Sequence, residues 1–152
     1  MRDHSYYMAK ALAVADTASG YKNRQKTGCI IVEKGRIIAS GVNSSKTHPL
    51  AATYSKHPLA IYLHAEIDAI IKASRTSSIF STSAIYVARR TLTTNRKPDG
   101  CGLAKPCDGC AAAIAHFNFG LVAYSLDSDD KMNYVTVDRR RNSIEIHMEM
   151  KV

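Results

Sequence analysis

The amino-acid sequence predicts an α/β sandwich. Stretches with apolar residues three or four apart, typical of amphipathic helices, alternate with short β-branched runs in the order α, β, β, α, β, α, β. The length of 152 residues fits a single domain. Hydrophobic residues make up 45% of the chain and charged residues 22%, proportions that exclude an extensively disordered protein.

The N-terminal part of the chain predicts a helix followed by a hairpin. Helical spacing of apolar residues predicts a helix over residues 5–19, with Ser5 as its N-cap and Gly20 at its end. Two β-branched runs within residues 28–43 flank a turn at 33–35, which predicts two antiparallel strands.

The central part of the chain alternates between loops, helices and strands. Proline, glycine and weak periodicity predict loops over 44–62 and 93–106, helical patterns cover 64–75 and 107–118, and apolar runs predict strands over 83–92 and 121–127.

The C-terminal tail has two segments that each fit a strand. Residues 133–138 and 143–150 alternate apolar and polar side chains. The connection between strand 121–127 and residues 133–138 is too short for a parallel crossover. If these two segments pair, we therefore expect them to run antiparallel.

Charge and hydropathy narrow the class of protein. No apolar run is long enough to cross a bilayer, and the first ten residues lack the apolar core of a signal peptide, so we expect a cytoplasmic protein. Four cysteines in such a protein are more often metal ligands or core residues than disulfides. The net charge of +8 fits basic surface faces, or a polyanionic or phosphorylated ligand.

The stretch KPCDGC, residues 105–110, predicts half of a metal site. Cys107 and Cys110 are three residues apart at a helix start, so their side chains share one face. Pro106 precedes them, and the first-turn amides and the helix dipole favour thiolates. Two thiolates in this arrangement suit zinc, although a redox pair or two buried cysteines would show the same spacing.

The stretch HAE, residues 64–66, predicts the other half. His64 alone would suggest a helix cap or a packed residue, but it begins a helix, as the cysteine pair does, and one predicted strand separates the two helices. A right-handed β-α-β crossover allows both helix starts to meet at one place. Three protein ligands would leave a fourth position open, as in catalytic zinc sites. Glu66 would then stand beside that position to transfer protons; without zinc it would only complement the helix dipole.

These motifs resemble the H-x-E…P-C-x-x-C signature of the zinc-dependent cytidine and deoxycytidylate deaminase superfamily, closest to the deoxycytidylate (dCMP) deaminase group. The resemblance implies a three-layer α-β-α sandwich of the cytidine deaminase type with a mixed central sheet of about five strands. It implies one deaminase domain over 1–152, with 128–152 as a strand-forming C-terminal extension. It also implies a Zn²⁺ cofactor, a homo-oligomer, and hydrolytic release of ammonia, with dCMP to dUMP as the leading expectation.

The resemblance also implies a set of site residues. His64, Cys107 and Cys110 would bind zinc, and Glu66 would be catalytic. Asn43 would bind the sugar, while the carbonyl of Ala65 and the ring of Tyr124 would frame the base. Asn43 also fits a strand-end turn residue, and Tyr124 a core residue.

Two further sets of residues are weaker candidates. Lys46, Arg24 and Arg89 are candidates for contacting a phosphate. Cys101 with His48 or His57 would form a second metal site, as in some relatives.

Three alternatives to dCMP deamination stay open. The substrate would be a base in a polynucleotide, either adenosine in a tRNA or cytidine in a single strand, or it would be a free nucleoside. The net charge and the basic run at 139–141 favour nucleic acid, whereas the scarcity of aromatic residues among the basic ones opposes it. The third alternative is a zinc-binding module without catalysis.

Overall fold

The computed structural model describes residues 3–18, 25–54, 62–77, 80–92, 98–129 and 131–151. Within them lie four helices: α1 (His4–Asp16), α2 (Pro49–Tyr54), α3 (Ala65–Ala73) and α4 (Asp108–His116). The same residues contain seven strands: β1 (Lys26–Glu33), β2 (Arg36–Val42), β3 (Ser83–Leu92), β4 (Pro98–Gly102), β5 (Leu121–Ser125), β6 (Lys131–Asp138) and β7 (Ser143–Lys151).

The strands form one mixed sheet in the order β2-β1-β3-β5-β6-β7, with β4 paired to β3. β3 and β5 are parallel, and the other pairs among the described strands are antiparallel. The predicted mixed sheet is confirmed, with seven strands where about five were expected. β6 runs antiparallel to β5, as its short connection predicts.

Alternate side chains of the central strands face two separate cores. Ile30 and Tyr86 pack with the apolar side of α1 on one face of the sheet. Cys29 and Ile85 pack with α2, α3 and α4 on the other face. Successive side chains of a strand point to opposite faces, so each strand contributes to both cores. The predicted three-layer α-β-α sandwich is confirmed.

The β1–β2 hairpin turns at Lys34 and Gly35, whose φ angles are 50° and 78°. Positive φ at both central residues is typical of the tight turns that match the twist of paired strands. Glycine takes this conformation without strain, whereas Lys34 adopts it at some cost.

Three local predictions were wrong. Asp3, and not Ser5, is the N-cap of α1, because the Asp3 carboxylate accepts hydrogen bonds from the Tyr6 N–H and the Ser5 hydroxyl. The predicted loop over 44–62 contains α2, which begins at Pro49, where a missing N–H costs little. The predicted loop over 93–106 contains β4, which pairs with the end of β3. The proposed helix end at Gly20 lies outside the described residues.

α3 lies close against β2 because residue 41 is a glycine. A Cβ at Gly41 would lie 2.5 Å from the carbonyl oxygen of Ala65 and 2.5 Å from the amide nitrogen of Ala69, both in the backbone of α3. This contact sets the start of α3 at the edge of the sheet where β2 ends. None of the helices in the described residues is long and apolar enough to cross a lipid bilayer.

We expect Gly41→Ala to lower the free energy of unfolding by about 1–3 kcal/mol, since backbone atoms of α3 must shift to admit the methyl group. Urea denaturation followed by circular dichroism measures this loss. Ser40→Ala, at the exposed neighbouring position of β2, is the matched control and should stay within about 0.5 kcal/mol of the parent protein. Equal stability of the two variants would contradict this packing.

Candidate active site

His64 is the residue that precedes the first turn of α3. Its backbone is extended, and its side chain makes no capping hydrogen bond to the helix. The ring turns instead towards α4, with Nδ1 3.3 Å from the sulfur of Cys110. His64 therefore does not cap α3, which is the role that a lone histidine at a helix start would suggest.

Cys107 and Cys110 lie at the start of α4. Cys107 is the N-cap, and its sulfur accepts a hydrogen bond of 3.5 Å from the Cys110 amide. Cys110 lies in the first turn and is buried, whereas Cys107 is exposed. Both sulfurs thus lie at the positive end of the helix dipole, which favours thiolates.

The three predicted ligand atoms fit a zinc ion. His64 Nδ1 lies 3.5 Å from the Cys107 sulfur and 3.3 Å from the Cys110 sulfur. All three atoms are within 4.8 Å of one another. Zn–N and Zn–S bonds of ordinary length place a nitrogen and a sulfur roughly 3.6 Å apart in a tetrahedral site. The one-nitrogen, two-sulfur donor set and its spacing therefore suit zinc.

A cavity of about 400 Å³ opens beside these ligands. His64 and Cys107 line it, together with Glu66. A volume of this size is typical of sites for small-molecule ligands. The fourth corner of a zinc tetrahedron would face a space that admits water and substrate.

Glu66 lies in the first turn of α3 and is only 5% exposed. Burial raises the pKa of its carboxyl, and the carboxyl is hydrogen-bonded to the Cys110 side chain. A carboxyl in this environment is suited to taking up and giving back a proton.

The two cysteines have opposite pKa shifts. Hydrogen bonds from Cys110 and then from His64 lower the pKa of Cys107 to about 3. The hydrogen bond to Cys107, followed by burial, raises the pKa of Cys110. The lowered pKa of Cys107 favours its thiolate, which is the form of cysteine that binds metal ions.

Residues 1–126 match the sequence profile described as the cytidine and deoxycytidylate deaminase zinc-binding region. The chain belongs to the cytidine and deoxycytidylate deaminase family. It is a zinc-dependent deaminase, and His64, Cys107 and Cys110 form its candidate zinc site.

Several solved deaminase structures share this fold. A dCMP deaminase from the cyanophage S-TIM5 is 25% identical, with a TM-score of 0.56 over 85% of this chain and 88% of that chain. A cytidine deaminase from Burkholderia pseudomallei is 16% identical, with a TM-score of 0.58 over 95% of this chain and 91% of that chain. A tRNA:A34 deaminase is 23% identical, with a TM-score of 0.51 over 84% and 79%. Among curated proteins, no significant match to the sequence was found.

Two of the three predicted substrate contacts of this deaminase line the cavity. Asn43 and Ala65 are part of its wall. The Asn43 Oδ1 accepts a hydrogen bond from the Thr27 N–H, and its Nδ2 donates to the Gln25 carbonyl, both at 2.9 Å. Tyr124 is not among the lining residues, because its ring packs against the apolar core beneath α3 and α4.

The structure places the weaker candidate residues of the deaminase in different parts of the fold. Arg89 lines the cavity, whereas Lys46 is exposed outside it. Cys101 is buried in the core beneath α1, and the Nδ1 of exposed His48 accepts a hydrogen bond from the Leu50 N–H. Those two residues are therefore not brought together as a second metal site. Arg24 and His57 lie outside the described residues.

Several cavity residues were missed by the sequence analysis. They share only a position near a strand or helix end, and are Gln25, Thr27, Ser44, Tyr62, Leu63, Ala104 and Lys105. Lys105 is two residues before Cys107, so its closeness to the predicted zinc ligand was a signal that could have been used. Gln25, Thr27 and Ser44 reach the cavity from the paired ends of β1 and β2. Leu63 is held by backbone hydrogen bonds to Ser44 and Lys46, and Ala104 by one to Ser125, contacts that are distant in sequence.

We expect Cys107→Ser and His64→Ala each to lose most bound zinc, because two remaining protein ligands hold the ion weakly. Metal analysis of the purified variants by mass spectrometry tests this expectation. Cys101→Ala is the matched control, since this buried cysteine lies on the opposite face of the sheet, and it should keep one zinc ion per chain. Equal zinc content in all three variants would place the ion elsewhere.

Proposed function

We propose that this deaminase acts on the cytosine of a free nucleotide, with dCMP to dUMP as the leading reaction. The observation that supports this most directly is the buried Glu66 carboxyl at the wall of the cavity, beside the three zinc ligands. The similar cyanophage S-TIM5 protein is a dCMP deaminase, and a second structure of it is described as a complex with dCMP and dUMP.

Zinc, when bound, supplies a Lewis acid that makes water a nucleophile at neutral pH. Glu66 performs the proton transfers that hydrolysis of an amine requires. It accepts one proton from the attacking water and delivers it to the ring nitrogen next to the reacting carbon. It then accepts the remaining hydroxyl proton as the carbonyl forms and delivers it to the leaving amine, which departs as ammonia. Burial raises the pKa of its carboxyl, which suits a group that must both accept and donate a proton.

Asn43 is proposed to hold the sugar. An asparagine amide offers two N–H donors and two acceptor sites. The bonds to Thr27 and Gln25 use one of each, so one donor and one acceptor remain for a sugar hydroxyl. The same two bonds fix the side chain to the start of β1. The backbone of Ala65, at the first turn of α3, is proposed to contact the base.

A base in a polynucleotide is the main alternative substrate, and the net charge of +8 favours it. The basic run, however, lies far from the cavity. Arg140 and Arg141 follow β6, whose Asp138 pairs with Leu121 at the start of β5. The cavity lies at the opposite end of the sheet, near Arg89, roughly 15 Å away by the rise of β3. Both arginines also pair with Asp138. A free nucleotide therefore fits the cavity better.

The cytoplasmic location and the homo-oligomer stay predictions from the sequence. A noncatalytic zinc module would need neither a buried carboxyl beside the ligands nor the cavity next to them.

We expect Glu66→Gln to keep zinc and the fold but to reduce kcat by about 10²–10⁴-fold or more, because the amide cannot transfer protons. Ammonia release from dCMP, measured beside zinc content and the melting temperature, tests this. Asp68→Asn, two residues further along α3, is the comparison variant. Undiminished turnover by the Glu66 variant would assign the proton transfer to another group.

A substrate panel tests the proposed substrate class. Zinc-loaded protein is incubated with deoxycytidine, dCMP, dCTP and short cytosine- or adenine-containing oligonucleotides, and ammonia is measured. We expect dCMP to give the highest kcat/KM. Turnover confined to the oligonucleotides would favour the polynucleotide alternative, and no ammonia from any compound would contradict the proposal.

A further inference from the structure

Arg89 is held in the cavity wall by hydrogen bonds at both ends of the residue. Its backbone N–H donates to the Ser125 hydroxyl at 3.1 Å, and its side-chain Nε donates to the Thr27 hydroxyl at 3.4 Å. Ser125 in turn donates to the carbonyl of Gly102 at 2.7 Å. These contacts link the ends of β3, β4 and β5 and fix the direction of the arginine stem.

Gly102 leaves the space that the stem of Arg89 occupies. A Cβ at residue 102 would lie 3.0 Å from Cδ and 3.3 Å from Cγ of Arg89. Both distances are tighter than ordinary carbon contacts. The missing side chain at this position of β4 leaves room for the arginine stem, which a methyl group there would push aside by a few tenths of an ångström.

The charge of Arg89 is not neutralised within the part of the chain that the structure describes. No carboxylate of those residues lies within ion-pair distance of it. The next residue, Arg90, points to the opposite face of the sheet and makes two hydrogen bonds to the Asp16 carboxylate. The two adjacent arginines of β3 thus have different surroundings. Arg90 forms an ion pair, and Arg89 faces the cavity.

The cavity wall carries a second cation and one buried acid. Lys105, exposed on the loop before α4, lines the cavity together with Arg89. Among the lining residues that the structure describes, Glu66 is the only carboxylate, and it lies next to the zinc ligands. The wall therefore presents two positive charges, a held guanidinium and an exposed ammonium, to a ligand that reaches the zinc site.

We propose that Arg89, assisted by Lys105, binds the phosphate of the substrate and makes this deaminase select a nucleoside 5′-monophosphate over a nucleoside. The inference rests on the proposed function of the same cavity. A guanidinium presents a planar set of N–H donors that matches phosphate oxygens, and a held guanidinium loses little freedom on binding. A terminal phosphate monoester offers more charge and more free oxygens than an internal diester, so a free nucleotide satisfies the pair best.

The test compares Arg89→Gln with the matched control Arg90→Gln. For Arg89→Gln we expect kcat/KM for dCMP to fall about 10- to 100-fold through KM, with kcat/KM for deoxycytidine unchanged. Arg90→Gln should leave the ratio of the two substrates as it is in the parent protein. An equal loss for dCMP and deoxycytidine, or no loss for either, would overturn the inference.

Gly102→Ala provides a second variant, because its methyl group displaces the Arg89 stem while the charge is kept. We expect it to raise the KM for dCMP and to leave the KM for deoxycytidine unchanged. Zinc content and melting temperature, measured for each variant, show that the protein stays folded.

Binding to Glu66→Gln protein separates this inference from the proposed function. Calorimetry with dCMP, deoxycytidine and an oligonucleotide that lacks a terminal phosphate gives affinities without turnover. Weaker binding of dCMP alone in the Arg89→Gln, Glu66→Gln double variant supports the inference even if the parent protein deaminates no cytosine compound. Arg89-dependent binding of the oligonucleotide, with dCMP binding unaffected, would overturn it while leaving the deaminase chemistry intact.

Discussion

The convergence of two helix starts at one edge of the sheet is the constraint on which the rest of the structure depends. α3 is set by its contact with Gly41 of β2, and α4 is set by the crossover that makes β5 parallel to β3. Only this arrangement brings His64 to within 3.5 Å of both sulfurs. A rotation of α4 by one residue would turn the cysteine pair by about 100° and remove the site.

The same arrangement determines what surrounds the metal ligands. Glu66, the second residue of α3, is buried because the helix packs on the sheet immediately after its first residue. The edge of the sheet supplies the opposite wall, through Thr27, Asn43 and Arg89. The buried Glu66 carboxyl beside the zinc ligands and the held Arg89 guanidinium at the sheet edge fit a reacting base at the metal and the proposed phosphate at the sheet.

Sequence reasoning reached the ligands and most of the elements because their signals are local. The histidine–glutamate and cysteine pairs are each within one helical turn, and the strand predicted over 83–92 matches β3 in full. β4 was missed because it is short and contains proline and glycine. It forms through long-range contacts, such as the two backbone hydrogen bonds between Cys101 and Ser128. The residues that line the cavity were harder to predict than the elements. The alternation of side chains along β5 does not tell whether Tyr124 reaches the cavity or packs against the core, as it does in the structure.

Zinc K-edge X-ray absorption of the purified protein, loaded with one equivalent of zinc, tests the convergence of the two helices most directly. One imidazole, two thiolates and one exchangeable position predict two sulfur neighbours at about 2.3 Å and two nitrogen or oxygen neighbours at about 2.0–2.1 Å. A shell of four sulfurs, or one without sulfur, would contradict the account.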